Sequence, residues 1–144
     1  MRSRVLDRAE LPVDSTQFAR FLIGKMLVHA YRGKTPRNQT LFLERGHAYV
    51  YLAYGTSFML NVSSELPGVG AGVLIRAIEP TDGIALMERN GGTERLRDLA
   101  RGPGRLCAAL GIDLRLDGID LCREGPLWLG TEVVPVGWTV PRLG

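Results

Sequence analysis

Cysteine is scarce in this 144-residue chain: Cys107 and Cys122 are the only two, too few for a disulfide framework or a zinc cluster. Histidine is as rare, with His29 and His47 alone, so no metal-ligand spacing exists and zinc is not implied. No apolar run approaches the roughly 20 residues of a membrane span. The opening Met1-Arg2-Ser3-Arg4 leads into Asp7 and Glu10, not into the apolar stretch of a secretory signal. A soluble protein of a reducing cytosol is the expectation. Repeats, low-complexity tracts and flexible linkers are absent. So are a Ser–His–Asp order and a nucleophile elbow, and Gly102-Pro103-Gly104 lacks the Lys-Ser/Thr of a phosphate-binding P-loop.

What remains is the composition of an ordinary globular domain, 45% hydrophobic and 23% charged. That excludes a disordered tail, a collagen-like fibre and a coiled-coil rod. The length suits one domain over residues 1–144 with a core that needs no staples. Charge is more informative by position than by sum. Residues 1–60 hold nine Lys/Arg against four Asp/Glu, while residues 61–144 hold nine against eleven. Between Asp14 and Glu44 no acid occurs, yet Arg20, Lys25, Arg32, Lys34 and Arg37 all do. Such a field suits a polyanion, since each neutralised phosphate releases counterions; a solvated basic face is the other reading.

Local signals predict an α+β fold. Asp14 or Ser15 caps a first helix whose Phe18, Phe21 and Leu22 recur at helical spacing before Gly24. Lys25 to His29 reads as a short strand, and Gly33 to Gln39 as loop, because Pro36 pushes Thr35 out of the helical region. The strongest signal is a hairpin. Ala48 to Tyr54 alternates, with Tyr49 and Tyr51 on one face and Val50 and Leu52 on the other. Gly55-Thr56-Ser57 supplies a turn, and Phe58 to Val62 returns. A third strand is predicted over Gly72 to Glu79. Thr81 or Asp82 then caps a helix through Arg89. Leu96 to Ala100 reads as a short helix, and Pro103 sits near the start of another, Arg105 to Leu110, with Gly111 past its end. The tail from Leu127 is strand-like. Strands and helices come mixed, without βαβ regularity.

Several residues sit where chemistry or packing would each explain them. Tyr54, at the hairpin tip, suits a wedge that unstacks a base step in the minor groove, or a cover for the end of the sheet. Tyr49 and Tyr51 share a strand face, where they hold an unpaired base at roughly 1–3 kcal/mol per stack, or pack across strands. Asn61, inside Leu60-Asn61-Val62, is an amide that reads the edge of a base or bonds a neighbouring loop. Arg76 is a guanidinium inside Leu74-Ile75-Arg76-Ala77-Ile78, costly unless it faces a polar cavity or pairs with Glu79 or Glu44. His29 stands on the lip of a basic loop, placed to donate to a phosphate or a base. Gly102-Pro103-Gly104 opens a helix whose free N–H groups can hold one phosphate.

The stretch from His29 to Leu110 resembles the alkyladenine (3-methyladenine) DNA glycosylase family, the mammalian-type enzymes that also occur in bacteria. Five blocks carry the resemblance in the family's order: His29-Ala30-Tyr31-Arg32-Gly33-Lys34-Thr35-Pro36-Arg37-Asn38; Gly46-His47-Ala48-Tyr49-Val50-Tyr51-Leu52-Ala53-Tyr54-Gly55; Leu60-Asn61-Val62; Val73-Leu74-Ile75-Arg76-Ala77-Ile78-Glu79-Pro80; and Gly102-Pro103-Gly104-Arg105-Leu106-Cys107. A weaker likeness extends to the first helix and to Pro126-Leu127-Trp128. The resemblance implies a single domain with a curved antiparallel sheet, flanking helices and a protruding hairpin that enters DNA. It implies hydrolysis of the N-glycosidic bond of damaged purines, such as 3-methyladenine, hypoxanthine and ethenoadenine, after the nucleotide is flipped out of the duplex. By motif, Tyr54 resembles the wedge that replaces the flipped base, and Tyr51 and His29 the pocket walls, with Tyr49 beside them. Asn61 resembles the residue that clashes with the 2-amino group of guanine, and Arg76 the partner that helps place the attacking water. Arg32, Lys34, Thr35, Arg37, Gly102 and Gly104 fall where DNA is held. No metal or organic cofactor is expected. The partner is double-stranded DNA, not a membrane; the protein is expected to be a monomer, cytoplasmic and nucleoid-associated in a bacterium or nuclear in a eukaryote.

One departure bears on mechanism. Before the His-Ala-Tyr-Arg-Gly block the family carries a Glu-Thr-Glu-Ala-Tyr motif, whose second Glu is the general base and whose Tyr stacks on the base's other face. Here Val28 runs directly into His29. Pro141-Arg142-Leu143-Gly144 likewise resembles the opening of a strand that the family continues. Loss of a general base costs on the order of 10²–10⁴ in rate. The surviving acids near the blocks are Glu44, Glu65 and Glu79. The expectation is a repair glycosylase, with a catalytically silent lesion-binding module as the alternative.

Overall fold

The structure is a computed structural model that describes residues 3–29 and 41–132, with the side chains of Met26 and His29 outside the description. Among the described residues, two three-stranded antiparallel sheets and four α-helices make up the fold. The first sheet has the order β1-β6-β2, from β1 (Ser3–Val5), β6 (Leu127–Glu132) and β2 (Met26–His29). The second has the order β3-β4-β5, from β3 (Ala48–Ala53), β4 (Ser57–Ser63) and β5 (Gly72–Leu74). The sequence reading expected one sheet. Two form because β6, close to 100 residues from β2 in the chain, takes both β1 and β2 as partners and leaves β3 to β5 to pair among themselves.

Most local signals act as read. Helix α1 (Ser15–Leu22) begins after Asp14, whose carboxylate accepts from the Gln17 N–H at 3.0 Å, and it buries Phe18. Helix α4 (Pro103–Leu110) begins on Pro103 and ends at Gly111 in the left-handed region. Leu106, Cys107 and Ala109 on its inner face pack against β4, and with Leu60, Val62, Leu127 and Leu129 they build the centre of the core. Both cysteines are free, and burial pushes their thiols up, Cys107 to about 12 and Cys122, beside the Asp120 carboxylate, to about 11.

Three boundaries differ from the sequence reading. The strand expected over 72–79 ends at Leu74, because Ala77 leaves β4 to bridge Arg101 and the Ile78 N–H donates to the Ala100 carbonyl. Helix α2 (Ile84–Gly91) is not capped by Thr81 or Asp82. Its N-cap is Gly83, and Asp82 spends its carboxylate on the Gly83 N–H at 2.9 Å. The turn between β3 and β4 centres on Tyr54 and Gly55, one residue earlier than read, so Ser57 already belongs to β4. The short helix α3 (Leu96–Leu99) forms where expected.

A loop over residues 117–122 ties the two sheets together. The Leu121 N–H donates to the Gly46 carbonyl, and the Leu129 N–H on β6 donates to the Leu121 carbonyl, both at 2.9 Å. Gly46 has a φ of +94°, and a Cβ there would lie 2.6 Å from the Cys122 sulfur, so only glycine permits this approach. Arg8 holds the same loop through Asp120 at 2.6 Å. Burial alone would push the Asp120 carboxyl up, but hydrogen bonds from Arg8 and the Cys122 N–H hold it below the usual range.

Candidate functional site

The β3-β4-β5 sheet has one face on the core and one face off it. Ala48 and Val50 on β3, Leu60 and Val62 on β4, and Val73 and Ile75 from the β5 side belong to the core cluster or pack on it. Alternation therefore sends Tyr49, Tyr51, Met59, Asn61 and Leu74 to the opposite face. The registers Tyr49↔Asn61 and Asn61↔Leu74 place those three in one row across the strands. The next row holds Tyr51↔Met59. The Ile75 N–H still donates to the Leu60 carbonyl at 3.0 Å, after which the chain leaves the sheet, so Arg76 lies past the end of β5. Tyr49, Tyr51 and Asn61, chosen from the sequence on separate grounds, thus share one face in two adjacent rows, with Arg76 beyond its edge.

The chemistry of that face is aromatic, apolar and donor-rich. The Tyr49 and Tyr51 rings lie 5.4 Å apart between centroids and tilt by 30°. The Asn61 Nδ2 group is buried and has no hydrogen-bond partner among the described residues. A buried amide donor without an acceptor costs about 1–3 kcal/mol, which a ligand acceptor would offset. The sequence reading placed Arg76 in a buried run and offered Glu79 or Glu44 as ion-pair partners. Instead Arg76 is exposed, because the chain leaves the sheet edge after Ile75, and Glu44 pairs with Arg8 at 3.5 Å. Among the described residues no ion pair joins Arg76 to an acid. Glu65 is also committed elsewhere, accepting from the Ser15 N–H and hydroxyl at 2.8 Å each. None of the face positions carries a carboxylate.

Tyr54 lies beyond the end of this face, on the turn joining β3 to β4. Its φ is +52° and that of Gly55 +68°, and the Thr56 N–H closes the turn on the Ala53 carbonyl at 3.1 Å. The side chain is 99% exposed, so it covers nothing on this chain. Leu52, expected on the core face with Val50, is 46% exposed instead, since the core ends before the turn. Beside the root of the turn, α4 presents its N-terminus with no side-chain cap. A Cβ on Gly104 would lie 3.0 Å from the Ser57 Cβ, so glycine lets the helix end sit against the first residue of β4. Gly104 is therefore a neighbour of the turn that bears Tyr54, and a Cβ on Gly102, at the helix N-cap, would meet open space.

His29 has its backbone in β2, opposite Leu127, in the other sheet. Arg32, Lys34, Thr35 and Arg37 lie outside the described residues. The sequence reading overlooked Met59 and Leu74, although counting two back from Asn61 along β4 would have found the first. It also overlooked Asp117, whose buried carboxylate accepts from the Val50 N–H at 2.9 Å. No pattern in the sequence links those two positions.

The chain matches known proteins over most of its length. A family model described as methylpurine-DNA glycosylase matches residues 28–144. A protein of Mesorhizobium japonicum is 60% identical, over 87% of this chain and 72% of its own length. One of Paraburkholderia phytofirmans is 45% identical, over 95% of this chain and 77% of its own. One of Methanoculleus marisnigri is 44% identical, over 80% of this chain and 59% of its own. All three bear the name "Putative 3-methyladenine DNA glycosylase". The first two alignments run to 150 and 165 positions, longer than the 144-residue chain itself. Since 87% and 95% of the chain are about 125 and about 137 residues, about 25 and about 28 positions of these relatives face no residue here.

Proposed function

The chain belongs to the methylpurine-DNA glycosylase family, and from that premise we propose that its tyrosine face receives a damaged purine turned out of duplex DNA. The observation that supports this reading is the register that gives Tyr49, Tyr51 and Asn61 one coreless face. Residues 1–144 act as one domain, and the lesions are alkylated or deaminated purines such as 3-methyladenine, ethenoadenine and hypoxanthine. Tyr51, with Tyr49 and His29 beside it, walls the pocket. Asn61 presents its unpartnered amide to the base edge and rejects the 2-amino group of guanine. Tyr54 enters the minor groove and fills the vacated place in the stack. The amides of Gly102 and Gly104 at the start of α4, and Arg32, Lys34, Thr35 and Arg37, hold the phosphates.

In the reaction, water attacks C1′ of the flipped nucleotide, the N-glycosidic bond breaks, and the purine leaves with its bonding electrons; a neutral lesion such as hypoxanthine or ethenoadenine takes up a proton as it leaves, whereas the cationic 3-methyladenine leaves neutral without one. Arg76 places that water. Its proton must go to a base, and here the reading divides. The face carries no carboxylate, and the two nearer alignments leave about 25 or more positions without counterpart in this chain. We assign that gap to the junction of Val28 and His29, where the family match begins. These observations favour a second reading, in which the protein binds the lesion and excises it poorly or not at all.

Single-turnover incubation with duplexes holding ethenoadenine, hypoxanthine or 3-methyladenine separates the two. Base release with any of them supports the glycosylase. Lesion-selective binding that weakens in Tyr54→Ala, with no release over long incubation, supports the silent module. A protein that neither releases a base nor distinguishes lesion from normal duplex would sink both.

A further inference from the structure

Met59 is the one apolar side chain of β4 that turns away from the core. Its neighbours Phe58 and Leu60 pack into or against the core cluster, as does Val62, and Met59 does not. It is partly exposed. Across the sheet it pairs with Tyr51, and Asn61 stands two residues along its own strand, while β5 on the other side ends at Leu74, opposite Asn61. Core packing does not account for an apolar residue in this group.

We propose that Met59 is a specificity-determining residue, the floor that makes the pocket prefer purines whose edge has been rendered apolar by alkylation or an etheno bridge. The inference rests on the function proposed above and names the substrate class within it. Side chains stand roughly perpendicular to a sheet, so a base stacked on the Tyr51 ring stands upright and sets one edge down on the residue beside it. That residue is Met59. A thioether has no N–H or O–H to give and is a weak acceptor. An amino or oxo group pressed onto it loses its water and gains no partner, whereas a methyl or etheno C–H edge loses nothing. The unbranched side chain also yields to the outline of a third ring, as a β-branched floor would not. Selection works by leaving the wrong edge unsatisfied.

The test compares the full chain with Met59→Gln and Met59→Leu, by fluorescence anisotropy at one fixed salt concentration. The duplexes hold ethenoadenine, hypoxanthine or adenine at one position. Gln has nearly the shape of Met but carries a donor and an acceptor. It is expected to lower the ethenoadenine-to-hypoxanthine affinity ratio about tenfold, the effect of one unmatched hydrogen-bonding group. Leu stays apolar and keeps the ratio, whatever its absolute affinity. A ratio unchanged in Met59→Gln, in a protein that still prefers lesions to adenine, overturns the assignment of Met59 alone. A wild-type chain that does not prefer any lesion to adenine overturns the function and this inference together. Melting curves accompany each variant, and because Met59 lies outside the core both are expected to fold.

Discussion

At Tyr54 the backbone and the side chain pull in opposite directions. A φ of +52° suits glycine or asparagine at the first central position of a two-residue hairpin turn, and an aromatic residue held there costs about 1 kcal/mol. Packing returns nothing, since the ring is 99% exposed. A strained, unpacked ring at this turn is what the proposed insertion into DNA would use. Tyr54→Asn should therefore raise stability by about 1 kcal/mol, a few degrees in a thermal melt for a chain of this size. The same variant should weaken binding to an ethenoadenine duplex about tenfold, since the inserted ring is lost. A variant that melts no higher would show that the turn carries no strain. The sequence made Tyr54 visible by its place at a turn; the positive φ was not legible, because it depends on which two residues the strands leave unpaired.

Strand β3 is the element on which the site depends, and its outer edge is held by residues far away in the chain. The Ala48 N–H donates to the Ile119 carbonyl and the Gly118 N–H to the Ala48 carbonyl, both at 2.8 Å. Asp117, 6% exposed, then accepts from the Val50 N–H, midway between the two tyrosines. In Asp117→Leu that N–H is buried without an acceptor, at a cost of about 2 kcal/mol by urea unfolding. Asp117→Asn keeps a carbonyl oxygen in place and should lose less. Equal losses in the two variants would mean that the acceptor is not what matters. The element also shows where sequence reasoning works. Alternation identified the faces of β3 and β4 because period-two patterning is local. It overran β5, where Ala77 had a competing partner in Arg101, and it was silent on Asp117, which lies 67 residues from Val50.

On the scale of the whole molecule, the proposed recognition face and the chemistry it would need have come apart. Tyr49, Tyr51 and Asn61 share a face without a carboxylate, and about 25 aligned positions of the Mesorhizobium japonicum relative face no residue of this chain. Grafting the unmatched positions of the Mesorhizobium japonicum protein between Val28 and His29 should raise base release from an ethenoadenine duplex by about 10²–10⁴. Release that stays flat in a graft with intact lesion binding would show that something other than a missing base limits the reaction. The β2 strand is paired with β6 from Met26 to His29, so the inserted segment would leave one residue before the strand's end and displace the His29 pairing with Leu127.

The sequence alone determined a small α+β chain with few cysteines, a tyrosine-bearing strand pair, an Asp-capped first helix and a last helix that opens on a proline. All of these rest on signals spanning a few residues: side-chain alternation, an Asp before a helical run, a proline at its start. It also held the five blocks of the family and the break at Val28. The tertiary structure decided what those signals cannot reach. It split the strands into two sheets, because a strand accepts whichever edge packing brings to it. It exposed Arg76 by ending β5 early, left the Asn61 amide buried without a partner among the described residues, and set Met59 opposite Tyr51 on the face away from the core. Each of these follows from register between distant strands, which is set by the shape of the shared core and is not written in any one stretch of chain.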